Sequence, residues 1–283
     1  MVTLSMPDID DHAVVLQVVQ ERQNGRNRVY FNSKQQYWID RVAEYIEAEG
    51  NPETIDSSEI IDTDKVKFLT LYLSPKDASA QKLQVLNVIR AHDLDFCPSC
   101  GEDGFPRTLD HYLPKEEYPE FSILSVNLAP MCDSCQGAKG TRTLNDHGEK
   151  IYLHPYYNSI VGLQVLKARI EGQFGRGTTS TLLVNEDLPA DIKRICISHS
   201  DELKLKNRYS RYFRSQYIRL LRLVKELRTD EELELPSIRS CIALFKRNAR
   251  LKGLNSWDHV FYSSVLENGP LLNYLANADI PDN

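Results

Sequence analysis

The residues best suited to chemistry lie in one central stretch of the 283-residue chain. Cys97 and Cys100 form one C-x-x-C pair, and Cys132 and Cys135 form a second. Two thiolates from each of two such turns complete a tetrahedral zinc site, and four thiolates leave no open coordination position for catalysis. The sequence therefore predicts a structural zinc ion. The alternative is four unrelated buried cysteines, which requires two such pairs to fall close together by accident.

An acid–base pair lies between the two cysteine pairs. Asp110 and His111 are adjacent, Asn127 follows, and Gln136 comes directly after the last cysteine. A neutral imidazole can accept a proton at pH 7, and an ionised carboxylate suits a metal ion. Consecutive strand residues point to opposite faces of a sheet. Asp110 and His111 can therefore contact one phosphate only if the strand edge is distorted there. An isolated Asp-His pair is usually a surface accident, but this context favours phosphodiester cleavage.

The order of these motifs resembles a known family. Residues 97–140 contain CPSC, TLDHYLPK, NLAP and CDSCQGAKG in that sequence. This stretch resembles an HNH endonuclease of the zinc-clamped ββα-metal type. The resemblance implies that His111 is the general base and that Asp110 binds a catalytic divalent ion, Mg²⁺, Mn²⁺ or another. It also implies that Asn127 holds the His111 loop and imidazole in orientation.

Gln136 departs from the family pattern, which normally has His or Asn at this position. A Gln carbonyl oxygen can bind a hard cation as Asn can, but its extra methylene changes its reach. Gln136 is therefore predicted as the second ligand of the catalytic ion, with loss of activity as the alternative. Residues that can compensate are Asp133, Asn145, His147 and His154, although packing or capping is the simpler role for His154. Lys139 shares a helical face with Gln136 and is predicted to contact phosphate.

The charge of the chain is unevenly distributed. The net charge is −6, yet residues 161–283 contain 19 Lys and Arg against 15 Asp and Glu. Many of these cations fall on two predicted helices, so we expect them to position a nucleic acid over the central module. The predicted contacts are Arg208, Arg211, Arg214, Arg219, Arg222, Lys246, Arg247 and Arg250. The alternative is an ordinary solvated helix face.

The surrounding sequence predicts an α+β fold in three regions. Residues 1–96 form a mainly helical region, residues 97–160 the HNH module, and residues 161–283 a β-hairpin followed by basic helices. The hairpin is predicted at residues 163–170 and 179–184, and the helices at 201–228 and 237–251. Near the start, Asn24-Gly25 favours a hairpin or a short helix before a turn. Helices are also predicted from Ser33 to about residue 50, by a capping box with Gln36, and over residues 76–90.

These features predict a metal-dependent HNH endonuclease that cuts DNA. By resemblance, it belongs to a bacterial restriction or anti-phage defence system. Its predicted partners are DNA, an ATPase or other defence protein, and a second copy of the chain. A catalytically weakened nucleic-acid-binding or scaffold protein and an RNA-cleaving HNH effector are the alternatives. No apolar run approaches the roughly 20 residues of a membrane helix, and residues 1–12 lack a secretory signal pattern. The sequence therefore predicts a cytoplasmic protein without a membrane partner.

Overall fold

The computed structural model describes residues 1–158, 160, 162–175, 177–229 and 237–280. Its mixture of helices and small antiparallel strand pairs confirms the predicted α+β class. The chain divides into two compact units. The site unit comprises residues 3–94 and 105–159, and the C-terminal unit comprises residues 1–2, 95–104 and 160–283. Residues 161 and 281–283, at the limits of the third predicted region, lie outside the described residues.

The site unit begins with helices. They are α1 (Asp11–Glu21), α2 (Arg28–Glu47), α3 (Asp62–Leu73) and the short α4 (Asn87–Arg90), which follows a π-helical segment, Gln81–Leu86. The hairpin considered around Asn24-Gly25 is wrong. Asp10 caps α1 by accepting a hydrogen bond from the backbone N–H of Ala13, and buried valines line one face of that helix. The short-helix alternative is the one that forms.

Two of the predicted helix boundaries shift. Helix α2 begins at Arg28, before the predicted cap at Ser33, because buried Phe31 packs against Trp38 on the same helix. The Ser33 hydroxyl instead donates to the carbonyl of Tyr30 within the helix. Over residues 76–90 only the second part is helical, as a π-helical segment followed by α4. The first part, residues 76–79, is not helical and contains a turn at residues 77–78.

A strand–strand–helix sequence completes the site unit. Strand β1 (Thr108–His111) pairs antiparallel with β2 (Leu128–Met131), and helix α5 (Asp133–Lys139) follows directly. His111 lies opposite Leu128 in the register. Helix α2 packs on the connection between the strands through Trp38, whose indole N–H donates to the Glu120 carbonyl at 2.8 Å. The N-terminal helices and this small β-sheet therefore share one packed unit.

In the C-terminal unit the hairpin and two helices lie close to their predicted ranges, and further helices were not predicted. Strands β3 (Leu166–Glu171) and β4 (Thr179–Val184) form the predicted hairpin. The helices are α6 (Ala190–Glu202), α7 (Leu205–Thr229), α8 (Ile238–Lys252), α9 (Trp257–Glu267) and α10 (Gly269–Asn277). The aromatic stripe of α7 at Tyr209, Phe213 and Tyr217 is buried. No helix in the described part of the chain has the length and apolar character needed to span a membrane.

Candidate metal centre and active site

The four cysteines of the two C-x-x-C pairs converge. The sulfur atoms of Cys97, Cys100, Cys132 and Cys135 all lie within 4.8 Å of one another. Tetrahedral zinc holds its thiolates at about 2.3 Å, which places the sulfurs of a filled site about 4 Å apart. The cluster can therefore hold a metal such as zinc. Its all-thiolate donor set suits a closed structural site rather than a catalytic one.

The first cysteine loop, residues 97–100, is anchored within the C-terminal unit. The indole N–H of Trp257 donates to the Cys100 carbonyl at 2.7 Å, and the guanidinium of Arg208 donates to the Cys100 sulfur at 3.4 Å. Gly101 follows with a φ of +82°, and a Cβ there would lie 2.0 Å from the Asn255 carbonyl oxygen. Only glycine fits this close approach, so the backbone of the loop is fixed on both sides.

Arg208 is not a phosphate contact, contrary to the sequence prediction. Its side chain is 9% exposed and forms an ion pair with Glu102 as well as the contact with Cys100. Because it is buried and paired in this way, the Arg208 guanidinium contacts the first cysteine loop and the residue Glu102 that follows it. The other predicted cations differ: all are exposed except Lys246, which is half-buried. The exposed group consists of Arg211, Arg214, Arg219, Arg222, Arg247 and Arg250.

Asp110 already has a cation beside it. The Lys139 ammonium lies 3.1 Å from the Asp110 carboxylate and donates to the His111 carbonyl at 2.7 Å. The Asp110 side chain is only 9% exposed and the Lys139 side chain only 2% exposed. Burial raises the pKa of Asp110, and the charge of Lys139 opposes that rise. Lys139 therefore points into the protein, which corrects its predicted contact with phosphate.

His111 is buried with a defined tautomer. Its Nε2 lies 2.9 Å from the Ser122 carbonyl oxygen, which can only accept a hydrogen bond, so Nε2 carries the proton and Nδ1 keeps its lone pair. The Tyr72 ring packs edge-on with its centroid 4.5 Å away. Burial lowers the pKa of His111 to about 4. The imidazole is therefore neutral at pH 7, as a proton acceptor must be.

Asn127 holds the connection between β1 and β2, residues 112–127. Its Oδ1 accepts from the Leu113 backbone N–H at 2.7 Å, and its Nδ2 donates to the carbonyls of Leu113 and Phe121 at 3.0 and 3.1 Å. The side chain is fully buried. One amide thus fixes both arms of the connection that follows His111. These contacts reach the backbone after His111, whereas the described hydrogen bonds of the amide do not include the His111 imidazole, which was also predicted.

Gln136 lies beside β1. Its observed hydrogen bond uses the amide nitrogen, whereas the predicted metal ligand is the amide oxygen. Its Nε2 donates to the Leu109 carbonyl at 3.2 Å, and its side chain is half-buried on α5. This bond leaves Oε1 as the atom available for a cation. The structure therefore brings Asp110, His111, Lys139 and Gln136 together at β1 and gives each of the four side chains at least one protein partner.

Several residues around this site were missed by the sequence patterns. The Asp11 carboxylate accepts from the backbone N–H and the hydroxyl of Ser125, at 2.8 and 2.7 Å, and burial raises its pKa to about 6. Tyr45 contacts both Asn127 and His154 through its hydroxyl, at 3.0 Å each. His154 is buried, and this burial agrees with its predicted packing role. Only the segment containing His154 carried a sequence signal.

Comparison with known proteins gives one partial similarity. No family model matches the chain, and no solved structure matches it. The chain is 31% identical over 118 residues to Protein ea31 of Escherichia phage lambda, covering 40% of this chain and 39% of that protein. It thus spans about two fifths of the length of the relative that it matches. The similarity covers a minority of both chains, and the case for an activity therefore depends on the chemistry of the site.

Proposed function

We propose that this protein is a metal-dependent endonuclease of the HNH type that hydrolyses DNA phosphodiester bonds. The observation that carries the proposal is the Asn127 amide, which fixes both arms of the connection directly after Asp110-His111. The strand–strand–helix order of β1, β2 and α5 is that of a ββα-metal core. A neutral buried histidine next to a carboxylate supplies the two chemical groups that hydrolysis needs.

His111 provides the base. With its Nε2–H bonded to the Ser122 carbonyl, Nδ1 is the atom that accepts the proton of the attacking water. The burial that lowers its pKa keeps the ring neutral, so the acceptor is present at pH 7. Asn127 keeps the backbone after His111 in place, and the Ser122 carbonyl fixes the orientation of the ring. These contacts prepare the imidazole before substrate arrives.

Asp110 and the Gln136 carbonyl oxygen would hold the divalent ion. Both are hard oxygen ligands of the kind that Mg²⁺ and Mn²⁺ prefer. Such an ion supplies charge stabilisation for the phosphate and the departing 3′ oxygen. Because the Lys139 ammonium contacts Asp110, the donor set fits an ion only when Lys139 moves aside. Zinc at the four cysteines has a structural role, and the exposed arginines of α7 and α8 bind the DNA backbone.

Plasmid nicking tests the proposal. We expect the wild-type protein to nick supercoiled DNA with Mg²⁺ or Mn²⁺ and to stop in EDTA, and His111→Ala to lose at least a hundred-fold in rate. His12→Ala is the matched control, because His12 lies on α1 of the same unit, outside β1, β2 and α5. Equal rates for wild type and His111→Ala would reject the proposal. An RNA substrate in parallel separates DNA cleavage from the RNA-cleaving alternative.

One observation favours a second function. The buried pair of Asp110 and Lys139 satisfies the carboxylate without a metal ion, and Gln136 replaces the usual ligand. This arrangement fits a zinc-containing nucleic-acid-binding or scaffold protein that has lost cleavage. DNA binding that is retained while wild type and His111→Ala are equally inactive would favour this alternative.

A further inference from the structure

A buried chain of hydrogen bonds leads from residues 154–157 to Asn127. The backbone N–H groups of Tyr156 and Tyr157 donate to His154 Nδ1 at 3.1 and 3.3 Å. A nitrogen that accepts these bonds carries no proton in the neutral ring, so His154 bears its proton on Nε2. That Nε2 lies 3.0 Å from the Tyr45 hydroxyl oxygen. His154 is therefore the donor and Tyr45 the acceptor.

The direction of the next bond follows from the first. Because the Tyr45 oxygen accepts from His154, its own proton is available for the Asn127 Oδ1 at 3.0 Å. This leaves Asn127 with its oxygen toward Tyr45 and the Leu113 N–H, and its NH₂ toward two carbonyls. A reversed amide would place donors against donors. The chain thus selects one of the two amide orientations.

Gly50 seals this chain from solvent. Its φ is +66°, and a Cβ at this position would lie 2.8 Å from the Tyr45 hydroxyl oxygen and 2.9 Å from His154 Nε2. The backbone is therefore packed directly on the bond between the two side chains. Tyr45, His154 and Asn127 are all buried. A bond in such surroundings has no water to replace a lost partner, so each break leaves an unpaired polar group.

We infer that Tyr45 and His154 are positioning residues that fix the Asn127 amide and, through it, the backbone after His111. The inference rests on the proposed nuclease function and extends it to one residue on α2, outside the predicted module, and to one residue after α5, within that module. It also gives a physical role to the His154-Pro155-Tyr156-Tyr157 segment, because the backbone after Pro155 supplies the two N–H donors. Neither residue contacts the reacting atoms in this account.

Tyr45→Phe tests the inference, with Tyr156→Phe as the matched control. Each change removes one buried hydroxyl from the site unit, and the Tyr156 hydroxyl donates to the Leu128 carbonyl at 2.7 Å, outside the chain. We expect Tyr45→Phe to lower kcat for plasmid nicking at least ten-fold with KM changed less than two-fold. We also expect hydrogen exchange of the Asn127 side-chain NH₂, followed by NMR, to become at least ten-fold faster. Tyr156→Phe should change neither.

Two results would overturn the inference. One is equal kcat and equal Asn127 exchange for Tyr45→Phe and Tyr156→Phe. The other is a ¹⁵N spectrum of wild type that shows His154 protonated on Nδ1. If the wild-type protein does not nick DNA, the proposed function fails, and the exchange and tautomer measurements still decide whether the chain orients Asn127. Gly50→Ala, which removes no hydrogen-bonding group, should accelerate Asn127 exchange in the same direction.

Discussion

The two cysteine loops share one spacing but have different surroundings. The first loop, residues 97–100, is held by side chains of distant helices, with Trp257 on its Cys100 carbonyl and Arg208 on its Cys100 sulfur. The second loop, residues 132–135, leads into α5, whose Gln136 and Lys139 contact β1. The comparison shows that a metal-binding motif determines where the sulfurs go. The side chains that contact each loop, or follow it, determine whether the loop is packed in a unit or leads to the candidate active site.

Loss of any one cluster thiolate should have the largest effect, and it should be the same for both loops. We expect Cys97→Ser and Cys132→Ser each to reduce bound zinc from about one per chain to near zero and to unfold the protein at 37 °C, because metal binding contributes directly to folding. Metal analysis and circular dichroism measure this. Cys196→Ala, a buried cysteine outside the cluster, should keep its zinc. A stable fold without zinc in either serine variant would contradict the structural role.

The second loop should be sensitive at Lys139. Lys139→Met leaves the Asp110 carboxylate buried without its cation, which costs about 3–5 kcal/mol. The double variant Asp110→Asn with Lys139→Met removes both charges, so we expect it to recover most of that loss. Urea unfolding at pH 7 measures both. A Lys139→Met protein as stable as wild type would show that the pair contributes little and that Asp110 is free to bind a cation.

The first loop should be sensitive at Arg208. Arg208→Ala removes a buried ion pair and a bond to sulfur, so we expect a loss of about 2 kcal/mol in unfolding free energy and faster zinc release to a chelator. Its DNA affinity should not change. Arg211→Ala should behave in the opposite way, with unchanged stability and a salt dependence of DNA binding reduced by about one ion. Weaker DNA binding by folded Arg208→Ala would restore the original prediction for this residue.

Replacement of His199 should have the smallest effect, which is a change in how the stability of the C-terminal unit depends on pH. Its Nε2 donates to the Ser99 carbonyl at 2.7 Å, and burial lowers its pKa to about 4. Between pH 4 and about 6.5, the unfolded state therefore binds more protons, so stability falls as the pH is lowered. We expect His199 to contribute about 1 kcal/mol of this loss between pH 6 and pH 5. His199→Gln should reduce the loss of unfolding free energy between pH 6 and pH 5 by that amount. The same pH dependence of unfolding free energy in His199→Gln and wild type would contradict this expectation.

Local patterns in the sequence predicted much of the fold. The apolar periodicity predicted a helix over residues 201–228, most of which α7 occupies, and two short β-rich runs predicted the β3–β4 hairpin. The spacing of the cysteines predicted their convergence. These features depend on residues near one another in the chain. The same local view could not decide between helix and hairpin around Asn24-Gly25, because the burial of the α1 valines is set by tertiary packing.

The partners of charged residues could not be predicted in this way. Arg208 and Lys139 both resembled solvent-facing cations on helices, but each is buried against an acid from another segment, Glu102 and Asp110 respectively. Those acids are 106 and 29 residues away in the chain. Tyr45 lies in the helix predicted from Ser33 to about residue 50, but nothing in the local sequence indicates the Asn127 amide that its hydroxyl contacts. Long-range pairing changes the role of a residue without changing its local pattern.

Anomalous scattering from a crystal soaked in Mn²⁺ shows directly whether the candidate site binds a divalent ion. We expect a manganese peak at the Asp110 carboxylate, with the Gln136 amide oxygen turned toward it and the Lys139 ammonium displaced. The thiolate cluster should show a zinc signal at its own absorption edge. A map with no manganese at Asp110, and with the Lys139 pair intact at saturating Mn²⁺, would contradict a metal-dependent nuclease.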